Sequence, residues 1–199
     1  MDTINQNNTK YRDALFDKYK GIFATDSNLN RQLVSFQANK SNPVFRWFKY
    51  KEGFSSNLVQ YYILKFGLEG SKVLDPYAGV GTTLFVSSEM GCDATGIELL
   101  PVGIFVMEFR QIVTNIQVEN IKAEKDKIWK ALESIPDNIK HIEHISITEG
   151  AFPVETERLL NKYLEYCERL GGEIGLLLKF SAFCVLEEIS FTRKDGQYL

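Results

Sequence analysis

The sequence predicts an α/β protein, with a parallel, doubly wound sheet between a helical segment before it and a helical region after it. Short β-forming runs alternate with helical patterns between residues 72 and 115, as in units of parallel strands joined by helices. The first run leads into a glycine-rich tract, which is typical of the turn from a strand into a helix. Two strands are too few to bury the helices around them, so we expect a partial sheet.

Each element of the α/β segment follows from a local signal. Residues 72–74 form a short apolar strand, and a helix at 82–90 ends at Gly91. Residues 93–98 read as the second strand. Pro101 suits the first turn of a helix that runs to about residue 115.

Helical patterns precede this segment. Residues 1–9 are polar and are expected to be disordered, whereas residues 11–23 carry apolar side chains at helical spacing. Ser55 is a suitable N-cap for a further helix, which ends at Gly67.

Helical patterns also follow it. Amphipathic helices are predicted at 121–134 and 153–170, with a turn at 136–138 between them. The pair Gly171-Gly172 then separates the second of these helices from a more buried one that extends to about residue 188.

Composition indicates a soluble, cytoplasmic protein. The 199 residues carry a formal net charge of -3, so the chain as a whole does not have the charge of a polyanion binder. The apolar stretch 174–189 contains Lys179, Glu187 and Glu188, which argues against a membrane span, and the polar N-terminus is no signal peptide. The 3 cysteines are widely spaced and fit reduced, buried side chains.

Two further groups of residues are candidate sites. His141 and His144 lie close together, but no other metal ligands stand near them in the sequence, so no metal is predicted. Between Asp26 and Glu52 every charged residue is basic, which fits either a solvated face or a strip that contacts phosphates. These basic residues are Arg31, Lys40, Arg46, Lys49 and Lys51.

The tract at 75–83 carries the clearest chemistry, because ligands bind at the carboxyl ends of strands in open α/β sheets. Gly79 and Gly81 allow a tight turn and a close approach of the backbone to a ligand. Thr82 and Thr83 open a helix whose first amide groups favour an anion. Glu98 ends the next strand, where its carboxylate can accept hydrogen bonds from both hydroxyls of a ribose. Together these features indicate a nucleoside with a zwitterionic tail.

Other nucleotide sites fit this tract less well. Leu84 stands at the position of the third glycine of a dinucleotide-binding motif, and no Gly-Lys-Ser/Thr run of a P-loop occurs.

The run Asp-Pro-Tyr-Ala-Gly-Val-Gly-Thr-Thr at 75–83 closely resembles the Asp-Pro-Phe-x-Gly-x-Gly-Thr-Thr signature of DNA amino-methyltransferases. The run Phe-Ser-Ser-Asn-Leu-Val at 54–59 resembles the other cofactor motif of that family, with Ser56 in place of its usual proline. The resemblance implies a Rossmann-like methyltransferase sheet, S-adenosylmethionine as cofactor and duplex DNA as substrate. The methyl group would go to an exocyclic amine of adenine or cytosine.

The resemblance also implies which residues bind the cofactor. Phe54 and Ser55 would contact the methionine part, Glu98 the ribose, and Leu99 the adenine. The complete predicted set is Phe54, Ser55, Asp75, Pro76, Tyr77, Ala78, Gly79, Gly81, Thr82, Thr83, Glu98 and Leu99.

By the same resemblance, residues 1–40 are an N-terminal helical extension, 41–120 the S-adenosylmethionine-binding α/β region, and 121–199 a helical region before the catalytic strand. The tail 186–199 resembles a segment that precedes this strand in some family members.

The family's catalytic signature, Asp/Asn/Ser-Pro-Pro followed by an aromatic residue, holds the target amine and stacks on the flipped base. No Pro-Pro dipeptide occurs in this sequence. The nearest run, Asn-Pro-Val-Phe at 42–45, lacks the second proline and precedes the cofactor strand, so no catalytic residue is predicted. A truncated chain, an interrupted gene and one subunit of a split enzyme all fit. In the last case, a second polypeptide would supply the catalytic strand.

Two other functions remain open from the sequence. One is a fragment of an RNA amino-methyltransferase, because some of these enzymes share a similar cofactor loop. The other is a non-catalytic binding protein on a decayed methyltransferase fold.

Overall fold

A computed structural model describes residues 2–191 of the chain, which divides into two compact units after Arg31. The first unit contains helix α1, Asp2–Tyr19, followed by a short 3-10 helix at Lys20–Ile22. The predicted disorder of residues 1–9 is therefore wrong from Asp2 onward: no glycine or proline interrupts the helix before Gly21. The part of the predicted tail motif at 192–199 lies outside the described residues.

The second unit begins at Gln32 and holds the sheet together with the remaining helices. Its elements, in chain order, are a 3-10 helix at Phe36–Ser41, α2 at Ser56–Phe66, β1 at Lys72–Asp75, α3 at Thr82–Glu89, β2 at Asp93–Gly96, α4 at Pro101–Ile112 with a 3-10 extension at Val113–Asn115, α5 at Val118–Glu133, α6 at Val154–Leu170, and α7 at Gly172–Ile189.

β1 and β2 pair in parallel, with Lys72 opposite Asp93 and Asp75 opposite Gly96. The α/β class predicted from the sequence is confirmed by this parallel pair and the helix between its strands. The sheet has two strands within residues 2–191. The second strand is shorter than predicted, because it ends at Gly96 and leaves Glu98 beyond it.

The helix boundaries follow the predicted signals closely. The Ser55 hydroxyl accepts a hydrogen bond from the Leu58 amide at 3.2 Å and so caps α2. Gly67 ends that helix with φ of 60°, in the left-handed region that favours glycine. Pro101 stands in the first turn of α4, where its missing amide hydrogen is not needed.

Two apolar clusters hold the second unit together. One joins α2 to α3 through Phe45, Val59, Ile63, Val86 and Cys92. The other joins α4 to α7 through Phe48, Val80, Val106, Phe109 and Phe180. Phe45 and Phe48 thus belong to the core, whereas Trp47 is 39% exposed. Both clusters include residues of the glycine-rich loop or of the helix after it.

The C-terminal helices pack closely on one another. Gly175 of α7 lies so near α6 that a Cβ there would stand 2.6 Å from the Cys167 carbonyl oxygen. The Tyr163 hydroxyl donates to the Leu178 carbonyl at 3.0 Å. None of the helices within residues 2–191 combines the length and the apolar character that crossing a bilayer requires.

Candidate functional site

The loop between β1 and α3 is shaped by hydrogen bonds to its own backbone. The Asp75 carboxylate accepts from the Tyr77 amide at 3.0 Å, and the Gly81 amide donates to the Ala78 carbonyl at 2.8 Å. The Ala78 amide donates to the Ile97 carbonyl at 2.9 Å, which ties the loop to the end of β2. The loop therefore has one defined path across the carboxyl ends of both strands.

Gly79 and Gly81 are required at their positions for two reasons. Their φ angles are 56° and 79°, which other residues rarely adopt. A Cβ on Gly81 would also stand 2.7 Å from Cγ of Met107, and one on Gly79 would stand 3.2 Å from the ring of Tyr50. The sequence prediction of a tight turn is confirmed here, whereas the position of Tyr50 against the loop was missed.

Several amide groups of the loop are not used by the protein. Within the part of the chain that the structure describes, the amides of Val80, Thr82 and Thr83 donate to no protein acceptor. Those of Thr82 and Thr83 stand at the start of α3, where helix geometry leaves the first amides unpaired, and that of Val80 lies two residues before it. Such a group of amides favours an anionic ligand atom.

Glu98 follows β2 and reaches back to the loop. One carboxylate oxygen accepts from the Gly79 amide at 2.6 Å. The other accepts from the amides of Leu99 and Leu100 at 2.8 and 2.7 Å. The bond from Leu100 contributes most to lowering the pKa of Glu98, with those from Gly79 and Leu99 adding to it. A carboxylate offers about four acceptor positions, so roughly one remains for a ligand hydroxyl.

The segment 54–56 is fixed by buried polar groups. The Asn39 side chain donates to the Phe54 carbonyl at 3.0 Å and accepts from the Ser56 amide at 2.9 Å. The Ser55 hydroxyl donates to the Leu33 carbonyl while it caps α2, and its side chain is fully buried. Asn39 is a residue that sequence reasoning missed. A lone asparagine before a helix gave no local signal for this role.

The structure brings some of the predicted site residues together and separates others. Glu98 touches Gly79 directly, whereas Phe54 packs on the apolar cluster of α2 and α3. Tyr77 and Leu99 are 88% and 87% exposed. Among the remaining predicted residues, Ala78 and Thr82 are buried, Thr83 is half-buried and Pro76 is exposed.

Behind the loop lies a buried arginine that the sequence did not single out. Nη1 of Arg110, in the last turn of α4, donates to the Val80 carbonyl at 2.7 Å. Gly103 of the same helix lies close to Gly79: a Cβ on Gly103 would stand 2.4 Å from the Gly79 carbonyl oxygen. Helix α4 therefore supports the loop at two consecutive residues.

The two histidines have acidic neighbours that sequence spacing did not reveal. Nε2 of His141 lies 2.7 Å from Glu165, and Nδ1 lies 3.7 Å from Glu168. Nε2 of His144 lies 3.1 Å from Glu157. Carboxylates that are distant in the sequence thus stand beside these histidines, because α6 brings them there from later in the chain. Glu165 also bonds Arg169 at 2.6 Å, so its carboxylate is already held by a cation of its own helix.

The basic residues before α2 are largely open to solvent. Lys40, Arg46 and Lys51 are exposed. Lys49 forms an ion pair with Glu187 of α7 at 3.2 Å. The strip is thus partly occupied by a contact within the protein.

The profile of the DNA methylase family matches residues 3–102. The chain is 39% identical over 204 residues to the Type II methyltransferase M.AvaI of Nostoc sp., covering 100% of this chain and 42% of that protein. It is 41% identical over 187 residues to the Type II methyltransferase M.BsoBI of Geobacillus stearothermophilus, covering 92% of this chain and 36% of that protein.

A more distant relative is the Type II methyltransferase M.MjaII of Methanocaldococcus jannaschii, with 26% identity over 174 residues, 81% of this chain and 30% of that protein. No solved structure matches the chain significantly. The chain spans about two fifths of the length of M.AvaI. Since the family match covers half of the sequence and includes the glycine-rich loop, the protein belongs to the N6/N4 DNA methylase family of amino-methyltransferases.

Proposed function

We propose that this chain is the S-adenosylmethionine-binding part of a site-specific DNA methyltransferase that acts on an exocyclic amine of adenine or cytosine. One observation carries the proposal. The loop at 75–83 presents unpaired amides at the start of α3, beside a carboxylate that one further strand brings to Gly79. An anion-binding turn next to a ribose acceptor matches the two polar ends of this cofactor.

The residues at the site fit the proposed cofactor. The amides of Val80, Thr82 and Thr83 would receive its carboxylate, since they have no acceptor among the described residues. Asp75 and Tyr77 would border the sulfonium, together with the backbone of the two loop glycines. Bound there, S-adenosylmethionine supplies the methyl group, and the loop's part is to hold it in a fixed position for transfer.

Glu98 would accept a ribose hydroxyl, and the exposed Leu99 would cover the adenine. Because the carboxylate already accepts three amide hydrogens, binding both ribose hydroxyls requires it to release one of them. Phe54 and Ser55 would form the wall near the methionine part. The buried Ser55 hydroxyl is committed to Leu33 and to the cap of α2, so this residue would act through its backbone.

The target amine would be held by a segment beyond the two strands described. Apolar side chains on and just after the two strands are exposed: Leu74 is 63% and Ile97 52% accessible to solvent. Two strands are too few for an independently stable sheet, so these exposed apolar side chains favour packing against further structure. We propose that further strands carrying the Pro-Pro-aromatic motif, from this polypeptide or from a second one, complete the sheet, and that the exposed Lys40, Arg46 and Lys51 contact phosphates of duplex DNA.

Calorimetric titration with S-adenosylmethionine tests the cofactor role. The wild-type chain is expected to bind, and Glu98→Gln to bind at least about tenfold more weakly, because its amide cannot accept the same set of hydrogen bonds. Glu108→Gln, at an exposed position of α4, is the matched control and should bind as the wild type does. Equal affinity in all three proteins would argue against a ribose role for Glu98. Absence of binding by the wild type would argue against the cofactor site itself.

A mobility-shift titration tests the substrate class. Duplex DNA is expected to bind more tightly than transfer RNA, in the presence of the chain that carries the catalytic motif. The reverse order would favour the RNA-modifying alternative.

A further inference from the structure

Arg110 is a buried cation in an aromatic setting. Its side chain is 5% exposed, and the guanidinium carbon lies 4.7 Å from the ring centre of Phe45 and 5.7 Å from that of Phe85. Phe45 lies in the segment before α2, and Phe85 lies in α3, the helix that follows the glycine-rich loop. Aromatic faces stabilise a cation at such distances.

Within residues 2–191, no carboxylate balances the charge of Arg110. Desolvation is the sole cause that shifts the pKa of this group, which burial lowers to about 10, so the guanidinium stays charged at neutral pH. Within the described residues, Nε and Nη2 have no hydrogen-bond partner. An apolar side chain of similar volume would fill the same space without this desolvation, so packing alone does not account for an arginine here.

Besides the two aromatic rings, the guanidinium contacts the centre of the glycine-rich loop. Nη1 donates to the Val80 carbonyl at 2.7 Å. The amide at the other end of the same peptide unit, that of Gly81, donates to the Ala78 carbonyl at 2.8 Å. Both polar groups of the 80–81 peptide are therefore bound, and the orientation of this peptide is fixed.

Fixing this peptide has consequences for its neighbours. The amides without protein acceptors, those of Val80, Thr82 and Thr83, lie on either side of it. Their directions depend on the φ of 79° at Gly81, a glycine that has no conformational preference of its own for positive over negative φ. We infer that Arg110 is the positioning residue of the cofactor loop, holding the Val80–Gly81 peptide so that the flanking amides converge on one ligand group. This inference rests on the proposed cofactor function.

The test compares Arg110→Met, which keeps an unbranched side chain but neither the charge nor the donors, with Arg110→Lys, which keeps the charge but not the fork of donors. Lys162→Met is the matched control. Lys162 lies in α6 and is 8% exposed, and its ammonium group pairs with Asp137 of the turn after α5 at 2.7 Å. For each protein, the Kd for S-adenosylmethionine is measured by calorimetry, the melting temperature by scanning calorimetry, and amide exchange of residues 76–84 by mass spectrometry without cofactor.

We expect Arg110→Met to raise the Kd about tenfold or more and to speed exchange in the loop, because the bond to a charged donor is lost. Arg110→Lys should fall between this variant and the wild type. Lys162→Met should lower the melting temperature while leaving the Kd and the exchange of the loop unchanged. This contrast separates positioning from general stability.

A folded Arg110→Met protein with the Kd of the wild type would overturn the inference. Where that variant does not fold, Arg110→Lys decides: wild-type affinity together with wild-type exchange of the loop would overturn it equally. Should the wild type not bind the cofactor, the proposed function fails, and loop exchange in the cofactor-free variants still shows whether Arg110 anchors the turn.

Discussion

Two turns of this protein are held by different kinds of interaction. The loop at 75–83 is held by side chains that bond backbone atoms: Glu98 accepts from the Gly79 amide, and Arg110 donates to the Val80 carbonyl. The turn after α5 is held on α6 by ion pairs between side chains, in which Asp137 meets Arg158 and Lys162. Side chain to backbone bonds fix the direction of individual peptide groups, whereas ion pairs between flexible side chains fix only an approximate position.

This difference matches the proposed roles of the two regions. A turn whose amides bind a ligand needs each peptide in one orientation, and a turn that connects two helices does not. Loss of a buried side chain also leaves a backbone group without a partner, whereas loss of the exposed Asp137 leaves the Arg158 guanidinium still paired with Glu155. Substitutions in the two regions should therefore differ both in size of effect and in what they change.

The largest effect is expected at Asn39. Asn39→Ala removes the partners of the Phe54 carbonyl and of the Ser56 amide, and the free energy of unfolding should fall by about 2–4 kcal/mol because both groups are then buried without bonds. Urea denaturation followed by circular dichroism measures it. Asn138→Ala, at an exposed position, should leave the unfolding midpoint unchanged. If Asn39→Ala also left the unfolding midpoint unchanged, the segment 54–56 would not depend on this side chain.

A matched pair of glycines gives the next effect. Gly103→Ala would place a Cβ 2.4 Å from the Gly79 carbonyl oxygen. Gly175→Ala would place a Cβ 2.6 Å from the Cys167 carbonyl oxygen. Each substitution should destabilise the fold by about 1–3 kcal/mol, since a backbone segment must move. Only Gly103→Ala is expected to weaken S-adenosylmethionine binding as well, which calorimetry detects. Equal loss of binding in both variants would remove the distinction between the regions.

The smallest effect is expected at Asp137. Hydrogen bonds from Lys162, and then from Arg158, lower the pKa of this carboxylate below its usual value. A lowered pKa stabilises the fold at pH values above the unfolded pKa of about 4, and this contribution is lost as the pH falls through the folded pKa. Asp137→Asn should therefore lower the melting temperature slightly at pH 7, and not at pH 2. High salt should shrink the difference at pH 7, because the carboxylate is exposed.

A variant Asp137→Asn protein whose deficit persisted at pH 2 would show that packing, and not charge, holds this turn. Glu98 has its pKa lowered in the same direction, chiefly by the Leu100 amide, so the loop should keep its hydrogen bonds from pH 8 to pH 5.

Local signals in the sequence predicted much of this structure. Helix α2 begins after Ser55 and ends at Gly67 as its cap and stop residues indicate. The parallel pair and the turn at Gly79 and Gly81 also follow from short patterns, as does the amino-methyltransferase family. The start of α1 was misjudged: the residues at 2–9 have low helix propensity, yet they continue the helix formed by the residues after them.

The partners of individual side chains could not be predicted in this way. Glu98 was expected at the end of a strand, yet its bond to Gly79 joins residues 19 positions apart. Arg110 and Val80 are 30 positions apart, and no spacing rule links a helix residue to the carbonyl of an earlier loop at that distance. His141 meets Glu165 only because a helix 24 positions later packs against its segment.

The sequence by itself determined where the chain turns, which faces of its helices are apolar and which chemistry the glycine-rich loop resembles, because these depend on neighbours within a few residues. Only the tertiary structure decided which groups hold that loop in place. The bonds from Asn39 to 54–56, from Glu98 to Gly79 and from Arg110 to Val80 form once the apolar clusters have brought distant segments together. A buried polar group then bonds whichever backbone atom the packing places beside it.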